Sequence, residues 1–309
     1  MPLNRREFLK GVAITAVAGA LPIGSATART RGRAVHRERM RFGYAAITWG
    51  GDDLRAIDEI SALGYPGIQL RSGAVAQFGA DPAALRTRLA AHNLTFVALS
   101  SGNLSIDPAR EAAMLEEHVA HARFLRDAGG LHLQIIDERP ARRAITPDDC
   151  ARLGALLTEI GRRSAPLGIT LVYHPHMGSI GERPDDAERV LAASDAANVK
   201  LLLDVAHWQQ GGGDPVAAIR RHHDRIALLH LKDVEPAPST DGRPGGYRFV
   251  ELGRGSVDLP GVFDALRDTG YDGWAVVELD SVAGLGHSAA EAAANNKRYL
   301  ESRGFSVGR

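Results

Sequence analysis

Eight times along this chain a short, apolar, β-rich run is followed by a longer stretch of helical pattern, and that alternation limits what the chain can become. The runs predicted as strands are Phe42–Thr48, Gly67–Arg71, Thr95–Ser100, Leu131–Ile136, Ile169–His174, Val199–Asp204, Ile226–Leu231 and Trp274–Leu279. The predicted helices are Asp52–Leu63, Pro82–His92, Pro108–Ala128, Pro147–Ala165, Pro184–Ala193, Pro215–His223, Leu259–Thr269 and Ser288–Ser302. Their ends carry the expected punctuation: Gly64 and Gly129-Gly130 as stops, and Asp81 before Pro82 as a start. Alternating βα units imply a parallel sheet covered by helices. Eight of them fit a closed (β/α)8 TIM barrel, for which about 250 residues is typical. An open doubly wound sheet would normally place G-x-G-x-x-G after its first strand, and "TWGGDD" does not match it. The expected organisation is a single catalytic barrel over residues 41–309.

The residues before it read as an address. "NRREFLKGVAITAVAGALPIGSATA" pairs Arg5 with Arg6, continues through an apolar run and ends at Ala26-Thr27-Ala28, an A-x-A cleavage site. Residues 1–28 are therefore expected to be a twin-arginine signal read by the twin-arginine export machinery, with 29–40 a linker. The implied location is periplasmic or extracellular, with no stable membrane anchor after cleavage. Removing that segment takes Arg5, Arg6, Lys10 and Glu7 from the 37 basic and 37 acidic side chains, leaving 34 and 36. So balanced a charge argues against nucleic acid as a partner. Cys150 is the sole cysteine, which rules out an intrachain disulfide. Homo-oligomerisation is left open.

In a barrel of this kind chemistry belongs at the C-terminal strand ends. The fifth strand ends in "YHPHMG", giving His174 and His176. The sixth, "VKLLLD", ends at Asp204 with His207 just beyond; the seventh ends "LLHLKDV", giving His230 and Lys232; the eighth ends "VVELD", giving Glu278 and Asp280. Side chains alternate along a strand, so His230 shares a face with Lys232, and Glu278 with Asp280. Each has a plainer reading: a helix cap for the aspartate, a hydrogen-bonded core histidine, a paired glutamate. Three such coincidences on consecutive strands favour one divalent metal ion, Mn2+, Co2+, Zn2+ or Mg2+. Asp214, before Pro215, reads as a helix cap only.

With these residues in place, "GYPGIQL", "LLLDVAHW", "HLKDV" and "FVELGRGSVDLPGVFDALRDTGYDGWAVVELD" resemble the xylose isomerase-like TIM-barrel superfamily. Its members include sugar-phosphate isomerases and epimerases, inosose dehydratases and endonuclease IV. The resemblance runs over nearly all of residues 41–302. It implies a metal held by Glu, Asp, His and Glu from the fifth to eighth strands, the last three falling on Asp204, His230 and Glu278. At the first position this chain has His174, expected as the fourth ligand, with Glu182 the alternative.

The resemblance further implies a keto-sugar, cyclitol or keto-glycoside substrate. Its proton next to a carbonyl would be removed to give an enediolate, the metal acting as Lewis acid. Glu278 is the expected base, and His176 and Lys232 the further catalytic groups. One secure glutamate favours β-elimination (a dehydratase or lyase) over two-glutamate epimerisation, with isomerase or epimerase the alternative. Lys232 has a structural alternative, an ion pair with Asp233. His207, Gln134, Trp49 and Arg254 are the expected substrate-binding residues, with Tyr44 and Trp208 joining an aromatic platform or the core. The long glycine-rich segment from Val234 to Gly273 is expected to be a lid that carries Arg254 to the substrate. A non-catalytic exported sugar-binding protein is the rival class, and the intact Asp204, His230 and Glu278 set speaks against it. An endonuclease IV-like repair enzyme is opposed by the charge balance and by the lack of a ligand set for three zinc ions.

Overall fold

A computed structural model describes residues 40–238 and 246–308; the residues expected to form an export signal and most of the expected linker lie outside the described residues. The barrel strands are β1 (Arg41–Ala45), β2 (Gly67–Arg71), β3 (Thr95–Leu104), β4 (His132–Asp137), β5 (Thr170–Tyr173), β6 (Val199–Asp204) and β7 (Ile226–Leu231). A hairpin of β8 (Asp233–Pro236) and β9 (Tyr247–Val250) intervenes before the last barrel strand, β10 (Trp274–Val277). β10 pairs with β7 on one side and β1 on the other, so the parallel sheet closes on itself. The expected (β/α)8 barrel is therefore the observed one.

Helices α1 (Asp53–Ala62), α2 (Gly73–Phe78), α3 (Pro82–Ala91), α4 (Glu111–Asp127) and α5 (Pro147–Ser164) accompany the first half. The second half adds α6 (Pro184–Ala192), α7 (Val205–Gln210), α8 (Pro215–His222), α9 (Leu259–Asp268) and α10 (Ala289–Ser302). The caps read from sequence form: Asp81 accepts from Ala84 N–H at the start of α3, and Asp214 from Val216 and Ala217 N–H at the start of α8. Gly64 and Gly129 take φ values of +80° and +78° just beyond α1 and α4, where a side chain would be strained. Two short helices, α2 and α7, and the β8–β9 hairpin were not anticipated.

The side-chain period of two explains how this barrel builds a site. Val172, Leu202, Leu228 and Val276 belong to one small buried cluster, joined by Ala45, Val97, Ala98 and Trp274. Two residues further along the same strands, on the same face, stand His174, Asp204, His230 and Glu278. The barrel interior is thus apolar below and ionisable at its C-terminal mouth. Gln69 and Gln134 interrupt the apolar layer, in register with Ala45, Ala98 and Val172.

Candidate metal centre at the barrel mouth

Asp204 serves two structures at once. Its Oδ1 accepts 2.9 Å bonds from the N–H groups of Ala206 and His207, capping the short helix α7. Its Oδ2 is buried without a hydrogen-bond partner. That free oxygen lies 3.5 Å from His230 Nδ1, 3.8 Å from His174 Nε2, 3.9 Å from His207 Nε2 and 4.0 Å from Lys232 Nζ. The cap reading of this aspartate is the observed one for Oδ1, and Oδ2 is left free among the candidate donor groups.

His230 Nδ1 also lies 3.5 Å from Glu278 Oε2, and like His174 Nε2 it has no hydrogen-bond partner. Buried polar atoms are rarely left so, and Asp204 Oδ2 and His230 Nδ1, 3.5 Å apart and both unpartnered, ask for a shared ligand. Asp204, His230 and Glu278 place one donor atom each within 4.8 Å of the others, and so do His174, Asp204 and His207. Mixed carboxylate and imidazole donors suit a divalent ion. Charge agrees: the carboxylates of Asp204, Glu278 and Asp280 around the single ammonium of Lys232 leave two formal negative charges for such an ion to balance.

Lys232 is 1 % exposed and donates to Glu278 Oε1 at 3.0 Å and Asp280 Oδ1 at 2.5 Å. Burial alone would lower its pKa; Glu278, Asp280 and Asp204 outweigh burial and hold it above the usual lysine range, so it stays charged. Burial likewise works to raise the Glu278 carboxyl, but His230 and Lys232 hold it below the usual glutamate range. Burial, reinforced by neighbouring imidazoles and Lys232, pushes His174 and His207 well below the histidine range. Lys232 does not pair with Asp233. The Asp233 carboxylate instead accepts N–H bonds from Val234, Gly253, Gly255 and Val257, gathering the chain after β9 around itself.

His176 is half-buried, its ring 3.7 Å from that of His207 and 5.3 Å from that of His174. Its Nδ1 lies 2.7 Å from Met177 O, so Nδ1 carries the hydrogen and Nε2 the lone pair. The hairpin covers this group: Phe249 lies over Lys232 Nζ, 4.0 Å from ring centroid to nitrogen, and meets the His207 ring edge-on at 5.1 Å. The segment expected to be a lid does reach the site, through Phe249.

The other anticipated residues stand elsewhere. Arg254 is 65 % exposed and pairs with Glu251 at 3.1 Å. Glu182 accepts from Gly178 N–H at 2.9 Å and lies 3.7 Å from Arg139, outside both donor groups. Trp49 donates to Glu59 at 2.6 Å and packs on Tyr44, which is itself fully buried against Asn296. Trp208 is buried beside His222. These aromatic residues belong to the buried core. Gln134 lies behind the site, bonded to Gln69 and His174. Gln69 and Phe249 escaped sequence reading. A polar residue inside the buried runs "GIQLR" and "LHLQII" was the available signal, since a buried amide demands partners.

A family model described as xylose isomerase-like TIM barrel matches residues 57–303. An inosose dehydratase of Lacticaseibacillus casei is 26% identical over 298 residues, spanning 85% of this chain and 97% of its own. The rhizopine catabolism protein MocC of Rhizobium meliloti is 30% identical over 288 residues, spanning 80% and 84%. Among solved structures, the IolI protein with a bound zinc atom is similar with a TM-score of 0.72 and 20% identity, covering 86% of this chain and 100% of that one.

Proposed function

The chain belongs to the xylose isomerase-like TIM-barrel family, and from that premise we propose that it is a divalent-metal-dependent dehydratase of a keto-cyclitol or keto-sugar. The observation that carries this is the convergence of Asp204 Oδ2, His230 Nδ1 and Glu278 Oε2 beside the Lys232 ammonium. The inosose dehydratases among its relatives support the substrate class.

Asp204, His230 and Glu278 hold the metal in this reading. When bound, the ion supplies a Lewis acid that polarises a carbonyl and the neighbouring hydroxyl. Glu278, held ionised, is the base that takes the proton next to the carbonyl. The C–H pair becomes the new C=C bond, the C–O bond one carbon on breaks, and the hydroxyl leaves as water with the proton that Glu278 took, while His176 Nε2, with its lone pair free, accepts a hydrogen bond from a substrate hydroxyl. Lys232, fixed and charged, faces the negative charge that builds on the carbonyl oxygen. Phe249 keeps bulk water from the ammonium.

Epimerisation is the second reading, and the donor set speaks against it. It calls for a carboxylate on each face of the substrate, and β5 delivers His174 where a second glutamate would stand. We read residues 1–28 as an export signal, and the proposed site of action is outside the cytoplasm. The test is metal analysis of the purified chain, followed by incubation with inososes, keto-sugars and 3-keto-glycosides. Elimination, isomerisation and epimerisation products are scored by NMR. Metal-dependent formation of the dehydrated product is expected; an epimer as sole product would reverse the order of the two readings.

A further inference from the structure

The buried amides behind the site form a hydrogen-bond chain that has only one self-consistent direction. Gln69 reaches Glu278 Oε2 at 3.4 Å, His230 Nε2 at 2.9 Å and Gln134 at 2.8 Å. Gln134 in turn reaches His174 Nδ1 at 2.8 Å. Gln69 and Gln134 are 3 % and 2 % exposed, so no water replaces these partners.

A carboxylate only accepts, which fixes the Gln69 amide nitrogen on the Glu278 side; the reverse orientation would set two acceptors against each other. The Gln69 carbonyl then faces His230 Nε2, which must carry a hydrogen, so Nδ1 is the ring atom left to face the metal site. The second Gln69 N–H points at Gln134 Oε1, so the Gln134 NH2 faces His174 Nδ1. That nitrogen must therefore hold a lone pair, and the ring's one hydrogen sits on Nε2. His174 Nε2 has no partner and opens onto the metal cluster, 3.8 Å from Asp204 Oδ2.

We propose that the relay Glu278–Gln69–Gln134–His174 fixes the ring hydrogen of both histidines on Nε2 but turns opposite nitrogens to the cluster, His230 presenting Nδ1 as a metal ligand and His174 its Nε2–H as a donor to a substrate oxygen. This rests on the metal-dependent reading above and removes His174, the fourth ligand expected from sequence, from the metal's donors. It also limits what His174 can do. A neutral imidazole that gave up its only hydrogen would become an anion, so His174 polarises and orients an oxygen without protonating it. Gln69 and Gln134 are positioning residues, acting through the two rings.

Nitrogen-15 NMR of the histidines in metal-free protein reads the tautomers directly. His230 is expected hydrogenated at Nε2, and His174 hydrogenated at Nε2 and bare at Nδ1. With Zn2+ alone, His174→Gln should keep its affinity within about threefold, because loss of even an outer partner costs roughly 10–100-fold when it supports a true ligand. X-ray absorption should count one imidazole on the zinc. Gln134→Glu replaces the amide donor by an acceptor and should move the His174 hydrogen to Nδ1. The freed Nε2 then joins the metal, giving two imidazoles and a Zn2+ affinity tighter by about tenfold or more. A bare His174 Nε2 in the wild-type spectrum, or a Zn2+ affinity collapsing in His174→Gln, overturns the proposal. These readouts need no substrate. Correct tautomers with no dehydration of any inosose would sink the proposed function and leave the relay standing.

Discussion

Asp204 lets one residue be tested for two roles by comparing two substitutions. Asn keeps an Oδ1 that can accept from Ala206 and His207, and replaces the free Oδ2 by a neutral NH2. Ala removes both. Each variant loses the anion among Lys232, His230 and Glu278, so that electrostatic change cancels between them. What remains is the helix cap, worth about 1 kcal/mol. In a domain of this size that corresponds to roughly 2–4 °C in Tm. Asp204→Asn is therefore expected to melt about 2–4 °C above Asp204→Ala by calorimetry of metal-free protein. Both should lose Zn2+ affinity by more than roughly 100-fold in calorimetric titration, since a ligand matters more than its outer partners. Equal melting points would refute the division of the carboxylate into cap and ligand. Retained Zn2+ affinity in Asp204→Asn would refute the metal centre itself.

Glu278→Gln keeps the side chain's shape but removes the base; turnover should fall to background while the far-ultraviolet circular dichroism stays unchanged, and a variant with full activity would exclude Glu278 as base. His118 is buried at 1 % exposure and its pKa is lowered to about 4, by burial first and by His121 second. Because the unfolded chain binds that proton near pH 6.5 and the fold does not, stability should rise with pH from 4 to 6.5 and level off above. The window of about 2.5 units at 1.36 kcal/mol per unit sets the loss at roughly 3 kcal/mol between neutral pH and pH 4. Denaturant melts across that range should show a shallower loss in His118→Asn. Replacing Arg5 and Arg6 by lysine should retain the precursor in the cytoplasm, with the wild-type mature N-terminus found by mass spectrometry just after Ala28.

The fold was legible because its strands are buried on both faces. Val199–Asp204 and Ile226–Leu231 read as apolar runs interrupted only by Lys200 and His230 before their polar ends at Asp204 and Lys232, and the structure forms strands over those same residues. The same period of two carried Asp204, His230 and Glu278 to one mouth. Elements that depend on a single contact were not legible. Helix α7 is six residues long and exists because Asp204 caps it. The β8–β9 pair hides in a stretch rich in proline and glycine, where strand propensity is low. The direction of the Gln69–Gln134 relay depends on which neighbours surround two amides, and strand spacing carries no such information. Arg254 was drawn to the site by its place in a glycine-rich turn, yet Glu251 holds it outward.

The β8–β9 hairpin forms a sheet of its own, outside the closed barrel, and is anchored by one carboxylate, Asp233. Its strands share no register with the eight that hold the donor set. Changes in its length or sequence can therefore reshape the wall that Phe249 presents to a substrate while the candidate metal ligands stay where the barrel puts them. Selection, or an engineer, can move such a protein between cyclitols and sugars by rewriting a hairpin and leaving the chemistry alone.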